Sequence, residues 1–150
     1  MPLSYATDLS DDQWELLSPL LPPAKSGGRP REVSLRAIIN AIFYINVAGC
    51  AWRLLPHDLP KWKTVYHYFR QWRLDGTWER MHDQLVRWER VAQGHPPSPS
   101  AASLDSQSVK TATPAAVCVG FDGGKKIKGR KRHIMVDTLG LVMMIVVTAA

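Results

Sequence analysis

Six cations crowd into the eight residues from Lys125 to Arg132: Lys125, Lys126, Lys128, Arg130, Lys131 and Arg132, with His133 next. No acid is interleaved among them, so their mutual repulsion is relieved by a polyanion such as a phosphate backbone, or by water if the segment is a solvated loop. The run leads directly into a stretch of strand character, which would hold it in place where a basic tail would wander. A second set recurs at helical spacing, where Lys63, His67, Arg70 and Gln71 lie opposite Trp62, Val65, Phe69 and Trp72. Arg and Gln can make two-pronged contacts with guanine and adenine edges, and Lys can hold phosphates. The solvated face of an ordinary bundle helix carries the same pattern. Asp105 is the third candidate, an acid in the middle of Leu104-Asp105-Ser106-Gln107-Ser108-Val109. Acids are unfavourable inside strands, so it calls for solvent on an open face or for a cation such as Mg²⁺ beside phosphate. Cys50, Cys118 and the remaining histidines lack ligand spacing.

These groups need elements to position them. Ser10 and Gln13 form a capping box that starts a helix over 11–21, which the Pro22-Pro23 pair ends. A loop over 24–31 carries Lys25, Arg29 and Arg31. A helix over 34–48, apolar nearly all round, belongs at the centre of a bundle and stops at Gly49. The stretch 50–60 is rich in turn residues and contains Trp52, placed either to stack on a base or to plug the bundle. The helix carrying Lys63 to Gln71 spans 61–74 and breaks at Gly76. Thr77 caps a fourth, with Trp78, Met81, Leu85 and Trp88 on its apolar side. The helices over 34–48 and 61–74 resemble a helix-turn-helix, although their connection exceeds the usual three or four residues.

From Gln93 the composition changes. Three prolines within Pro96-Pro97-Ser98-Pro99 mark a linker, and beyond it the period becomes that of strands: 103–109, 132–137 and 141–148, the last two joined by the turn Asp137-Thr138-Leu139-Gly140. The run from Leu141 to Val147 is uncharged, rich in β-branched residues and free of proline, an aggregation signature. The chain thus reads as α+β: a helical bundle over 1–93, a Pro/Ser linker over 94–102, and the start of a sheet over 103–150. Three strands without covering helices are an unfinished domain.

The 150 residues carry a net charge of +6 with 45% hydrophobic and 21% charged residues, values of a globular chain and not of a disordered one. Charge is unevenly distributed. Residues 1–24 hold four acids and no Lys or Arg, whereas residues 25–90 hold twelve bases against six acids and residues 91–150 seven against three. Two basic regions are the footprint of a nucleic-acid binder. Two distant cysteines exclude a disulfide framework. With no signal peptide and no apolar run long enough for a bilayer, the expected location is cytoplasmic, without a membrane partner.

Taken in order, Leu9-Ser10-Asp11-Asp12-Gln13-Trp14, Gly27-Gly28-Arg29-Pro30-Arg31, Ala51-Trp52-Arg53-Leu54-Leu55-Pro56, Trp62-Lys63-Thr64-Val65-Tyr66 and Phe69-Arg70-Gln71-Trp72 resemble the N-terminal domain of bacterial insertion-sequence transposases. After the linker, Leu104 to Lys110 is similar to the first catalytic strand of the DDE class, and Gly124 to Asp137 to its second. The resemblance covers almost the whole chain. It implies a DNA-binding helical module followed by an incomplete RNase H-like sheet, with double-stranded transposon ends as partner and a nucleoid location. It also implies an acidic triad holding two Mg²⁺ ions for in-line displacement at phosphorus.

Asp105 matches the first acid of that triad, as catalytic residue and metal ligand. Asp122 and Asp137 match neither of the others, which the family draws from elements beyond the third strand. The expectation is a chain that binds DNA through Lys63, His67, Arg70, Gln71 and the cations from Lys125 to Arg132, and that is inactive alone. It is then the first frame of a frameshifted element, completed by a second-frame product or working as a homo-oligomer, or else a truncated copy acting as a non-catalytic end-binding or regulatory fragment.

Overall fold

The computed structural model describes residues 5–24, 27, 31–111 and 118–150. Lys25 and Arg29 of the Gly-Arg-Pro loop lie outside that set. The architecture is α+β: four helices, α1 (Asp11–Leu17), α2 (Leu35–Ala48), α3 (Trp62–Leu74) and α4 (Thr77–Ala92), then strands β1 (Ala102–Lys110), β2 (Gly120–Asp122), β3 (Ile127–Asp137) and β4 (Val142–Ala149). The chain divides into two compact units, Met1–His82 and Asp83–Ala150.

In the first unit the capping box forms as expected. The Ser10 hydroxyl accepts from the Gln13 N–H, and the Gln13 side chain accepts from the Ser10 N–H. The α-helix stops earlier than Pro22-Pro23 would require and gives way to a 3₁₀ turn at Ser18–Leu20. Pro19 is the reason, since it cannot donate the next helical hydrogen bond. Ser34 caps α2 by accepting from the Ala37 N–H, and Gly49, at φ 64°, ends it in the left-handed conformation. Ile38, Ile39, Ala41, Ile42 and Ile45 of α2 are buried together with Val65 and Trp72 of α3, so α2 is the centre of this core. The carboxylate of Asp75, and not the hydroxyl of Thr77, caps α4: it accepts from both the backbone N–H and the side chain of Thr77. Trp72 is 1% exposed, whereas Trp88 of α4, expected in the core, is 39% exposed.

In the second unit β3 is the central strand, antiparallel to β1 along one edge and to β4 and the short β2 along the other. The stretch from Ile127 to Lys131, which lies ahead of the strand expected over 132–137, is also strand. Gly129 makes that possible, because a Cβ there would come within 1.9 Å of the Val109 carbonyl oxygen and force β1 away. The Asp137–Gly140 hairpin turn is present, closed by the Gly140 N–H on the Asp137 carbonyl.

Candidate nucleic-acid interface and catalytic strand

On α3, the helical period set by burying Val65 and Trp72 turns Lys63, Tyr66, His67, Arg70 and Arg73 to solvent. Gln71 does not join them. It is half-buried, and its side chain lies near enough to Asp75 to help hold that carboxyl down. Tyr66 and Arg73 take its place on the exposed stripe, and the i, i+3, i+4, i+7 spacing from Lys63 and Arg70 was the signal that marks them. Trp52 is half-buried and packs against Tyr66 and Phe69, with ring centroids 5.2 and 5.1 Å away, so it plugs the bundle. The Arg53 guanidinium lies 5.7 Å from the centre of the Trp62 ring.

The sheet sorts the other candidates by face, because side chains alternate along each strand and directly paired residues share a side. Asp105 pairs with Ile134, Gln107 with Arg132 and Val109 with Arg130. Lys128, Arg130 and Arg132 therefore share a face with Asp105. Lys131 and His133 project from the other, which also carries Ser108 and Asp122. Lys125 and Lys126 lie in the β2–β3 turn and are exposed. The Asp105 side chain is exposed, and no hydrogen bond or ion pair engages it among the described residues. One residue that sequence reasoning passed over stands beside it: the Gln107 side-chain oxygen accepts a hydrogen bond of 3.2 Å from Arg132. Two-residue alternation from Asp105 would have found it.

The other two acids of this unit are engaged. Asp122 accepts from the Ser108 hydroxyl at 2.5 Å and from the backbone N–H groups of Gly124 and Lys125. The Ser108 hydroxyl, the Lys125 N–H and the nearby Lys131 charge hold its carboxyl below the usual range. Asp137 is ion-paired to Arg90 and accepts from the backbone N–H groups of Leu139 and Leu141. Burial pushes its carboxyl up, but those backbone donors and Arg90 outweigh it, and the net direction is down. No group of three or more His, Cys, Asp or Glu among the described residues could hold a metal ion.

Comparison with known proteins bears on this arrangement. Residues 9–82 match the IS4/5 transposase family DUF4096, and residues 96–150 match the Transposase DDE domain family, which takes in Asp105. An insertion element IS402 uncharacterized 16.2 kDa protein from Burkholderia cepacia is 33% identical over 109 residues, 68% of this chain and 72% of that protein. The chain belongs to the insertion-sequence DDE transposases. A second relative, the uncharacterized protein y4sN of Sinorhizobium fredii, is 29% identical over 79 residues, 53% of this chain and 63% of that protein. No solved structure matches. The boundary between the two family matches falls within α4 and the linker, close to the division between the two compact units. No described helix of this transposase chain is long and apolar enough to cross a membrane.

Proposed function

We propose that these 150 residues bind transposon-end duplex DNA and carry the first acid of an RNase H-like DDE site, without cutting DNA by themselves. The observation that carries this reading is the contrast among the three acids of the second unit. Asp105 is exposed and unengaged beside a row of cations, whereas Asp122 and Asp137 are held by hydrogen bonds and, for Asp137, an ion pair. The antiparallel order β1-β3-β4, with the acid on β1, supports the RNase H-like reading. In the helix-turn-helix reading, α3 meets the duplex through Lys63, His67 and Arg70, joined by Tyr66 and Arg73. Gln71 contributes only if it swings out of its half-buried position.

The DDE family draws on divalent metal, and Mg²⁺ is the ion we propose. Two ions about 3.5–4 Å apart need several carboxylates between them, and one unengaged carboxylate does not complete such a site. No step is therefore derived through the metal. The other acids would come from residues outside these 150, in the same polypeptide or in a second-frame product. These 150 residues without them would act as a non-catalytic end-binding or regulatory module, working in the cytoplasm at the nucleoid.

The deciding experiment incubates the purified chain with labelled terminal-repeat duplex in Mg²⁺ and follows binding and nicking together. Binding without nicking is expected. Nicking that disappears in Asp105→Ala would show that the chain completes its own site, and failure to bind DNA at all would overturn the reading.

A further inference from the structure

We infer that Lys128, Arg130 and Arg132, with Gln107 as a positioning residue, form a phosphate track beside Asp105 that holds the backbone of the strand to be cut. Lys131 and His133, on the opposite face of the same strand, take no part. This rests on the proposal that the chain binds DNA, and it divides the basic run by face in a way the sequence pattern did not.

Several observations converge on it. The three cations occupy alternate positions of β3 and follow one another on a single face, about 6.6–6.8 Å apart along the strand. That spacing is close to the separation of successive phosphates on an extended nucleic-acid backbone. The track passes Asp105 directly, since Arg132 is the diagonal neighbour of Asp105 across the β1–β3 ladder, about 7–8 Å away. Asp105 is the one carboxylate on that face among the described strand residues.

The guanidinium groups on this face are not fully engaged within the chain. Among the described residues the buried Nε of Arg130 has no hydrogen-bond partner, which costs stability. Arg132 gives one hydrogen bond to Gln107 and forms no ion pair with Asp105 among the described residues, so its other donors are left to a ligand. Both charges therefore stay available, the acid for the reacting centre and the guanidinium for the phosphate next to it. On the opposite face the situation is reversed. The Lys131 charge helps hold the Asp122 carboxyl down, and the His133 ring is hydrogen-bonded with the Thr148 hydroxyl at 3.2 Å.

The test uses the full chain at nanomolar concentration with fluorescein-labelled duplex, in EDTA, over a range of salt. For the Lys128→Gln/Arg130→Gln/Arg132→Gln triple variant, the slope of log K against log salt should be shallower by about 0.9 per lost contact, or about 2.7 in all. Lys131→Gln and His133→Gln should leave the slope of the parent chain. Gln107→Ala should weaken binding in the parent and add nothing in an Arg132→Gln background. Asp105→Asn should tighten metal-free binding in the parent, because the carboxylate repels the neighbouring phosphates, and do nothing in the triple variant. Should the triple variant not fold, Lys128→Gln and Arg132→Gln, both at exposed positions, carry the test singly. Equal slope changes from Lys131→Gln and Lys128→Gln, or no response to Asp105→Asn, would overturn the track while DNA binding stood. A parent chain that does not bind DNA would overturn the underlying proposal as well.

Discussion

Arg90 and Asp137 form an ion pair whose side chains are 3% and 0% exposed, joining the last turn of α4 to the β3–β4 hairpin. The local sequence builds both ends of it. Gly94, at φ 76°, closes α4, with the His95 N–H on the Arg90 carbonyl and the Gly94 N–H on that of Val91. The chain then turns so that the Arg90 Nε donates to the Pro96 carbonyl at 2.8 Å. Asp137 uses one carboxylate oxygen to tie down the turn through Leu139 and Leu141, leaving the other for Arg90. Together with Ser108 they are the buried polar residues among those described in a unit whose Met144, Ile145, Val146 and Val147 on β4 are exposed. A polar clamp at the hairpin end fixes this unit where the first unit uses an apolar core.

Breaking that clamp from one side should damage the second unit severely, since the surviving charge is left buried without a partner. Both Arg90→Ala and Asp137→Asn should lower the midpoint of its thermal unfolding by about 12 °C or more. Asp105→Asn, on an exposed and unengaged acid, should leave it unchanged. Differential scanning calorimetry on the three variants checks the ordering. Equal midpoints for Asp137→Asn and Asp105→Asn would mean that the ion pair holds nothing.

Acid should act through the same hydrogen bonds. Asp75, Asp122 and Asp137 all lie below their ordinary value of 3.8 in the folded chain. The first two are lowered chiefly by side-chain donors, Thr77 and Ser108; for Asp137 the backbone donors and Arg90 overcome its burial. A carboxyl depressed by folding binds its proton less readily in the native state. Its stabilisation is therefore complete above 3.8 and drains away as pH falls through the lower, folded value. The expected result is a stability plateau from neutral pH to about 4 and a steep loss below it. Circular dichroism at stepped pH should show this loss blunted in Asp122→Asn, which no longer takes up a proton there.

Much of this organisation was legible in the residues. The Ser10 and Gln13 cap, the apolar α2, the stripe from Trp62 to Trp72 and the hairpin at Asp137 each rest on local chemistry that tertiary contacts did not override. Asp105 was legible only through the resemblance, since a single aspartate in a strand has several ordinary explanations. What escaped depended on neighbours distant in sequence. β3 extends back through Lys128 and Arg130 because Gly129 lets β1 approach, and no periodicity reports that pairing. Gln71 has the right type for the exposed face of α3, yet the packing of Val65 and Trp72 on α2 leaves it half-buried at the edge of that face. Trp88 fits the apolar spacing of α4, but it lies past the part of that helix belonging to the first unit.

The exposed stripe of α3 makes a prediction that separates it from the earlier set. Arg70→Ala and Arg73→Ala should each reduce the preference for terminal-repeat over unrelated duplex, by about 1–3 kcal/mol where a base contact is lost. Gln71→Ala should change that preference little, because its side chain is half-buried and off the exposed stripe. Competition binding with specific and scrambled duplexes provides the measurement. If Gln71→Ala proved the most damaging of the three, the side chain would have to swing out on binding DNA.

The outer edge of the sheet sets the last expectation. Met144, Ile145, Val146 and Val147 of β4 are all exposed, so both faces of this strand present apolar surface to water. β4 pairs with β3 along one side only, and no other described strand covers its second side. An uncharged, β-branched, proline-free edge of this kind is a template for pairing with another copy. The 150-residue chain should therefore self-associate at micromolar concentrations while remaining dispersed at the nanomolar levels of a binding assay. Val146→Lys, opposite His133 and on the face away from Arg132, places a charge on the strand without touching the Arg90–Asp137 clamp or the β1 edge. It should shift sedimentation toward the monomer and leave the thermal midpoint of the second unit in place. Association that is indifferent to Val146→Lys would point to a surface other than β4. A monomer at every concentration would mean that the apolar strand is protected by something other than pairing.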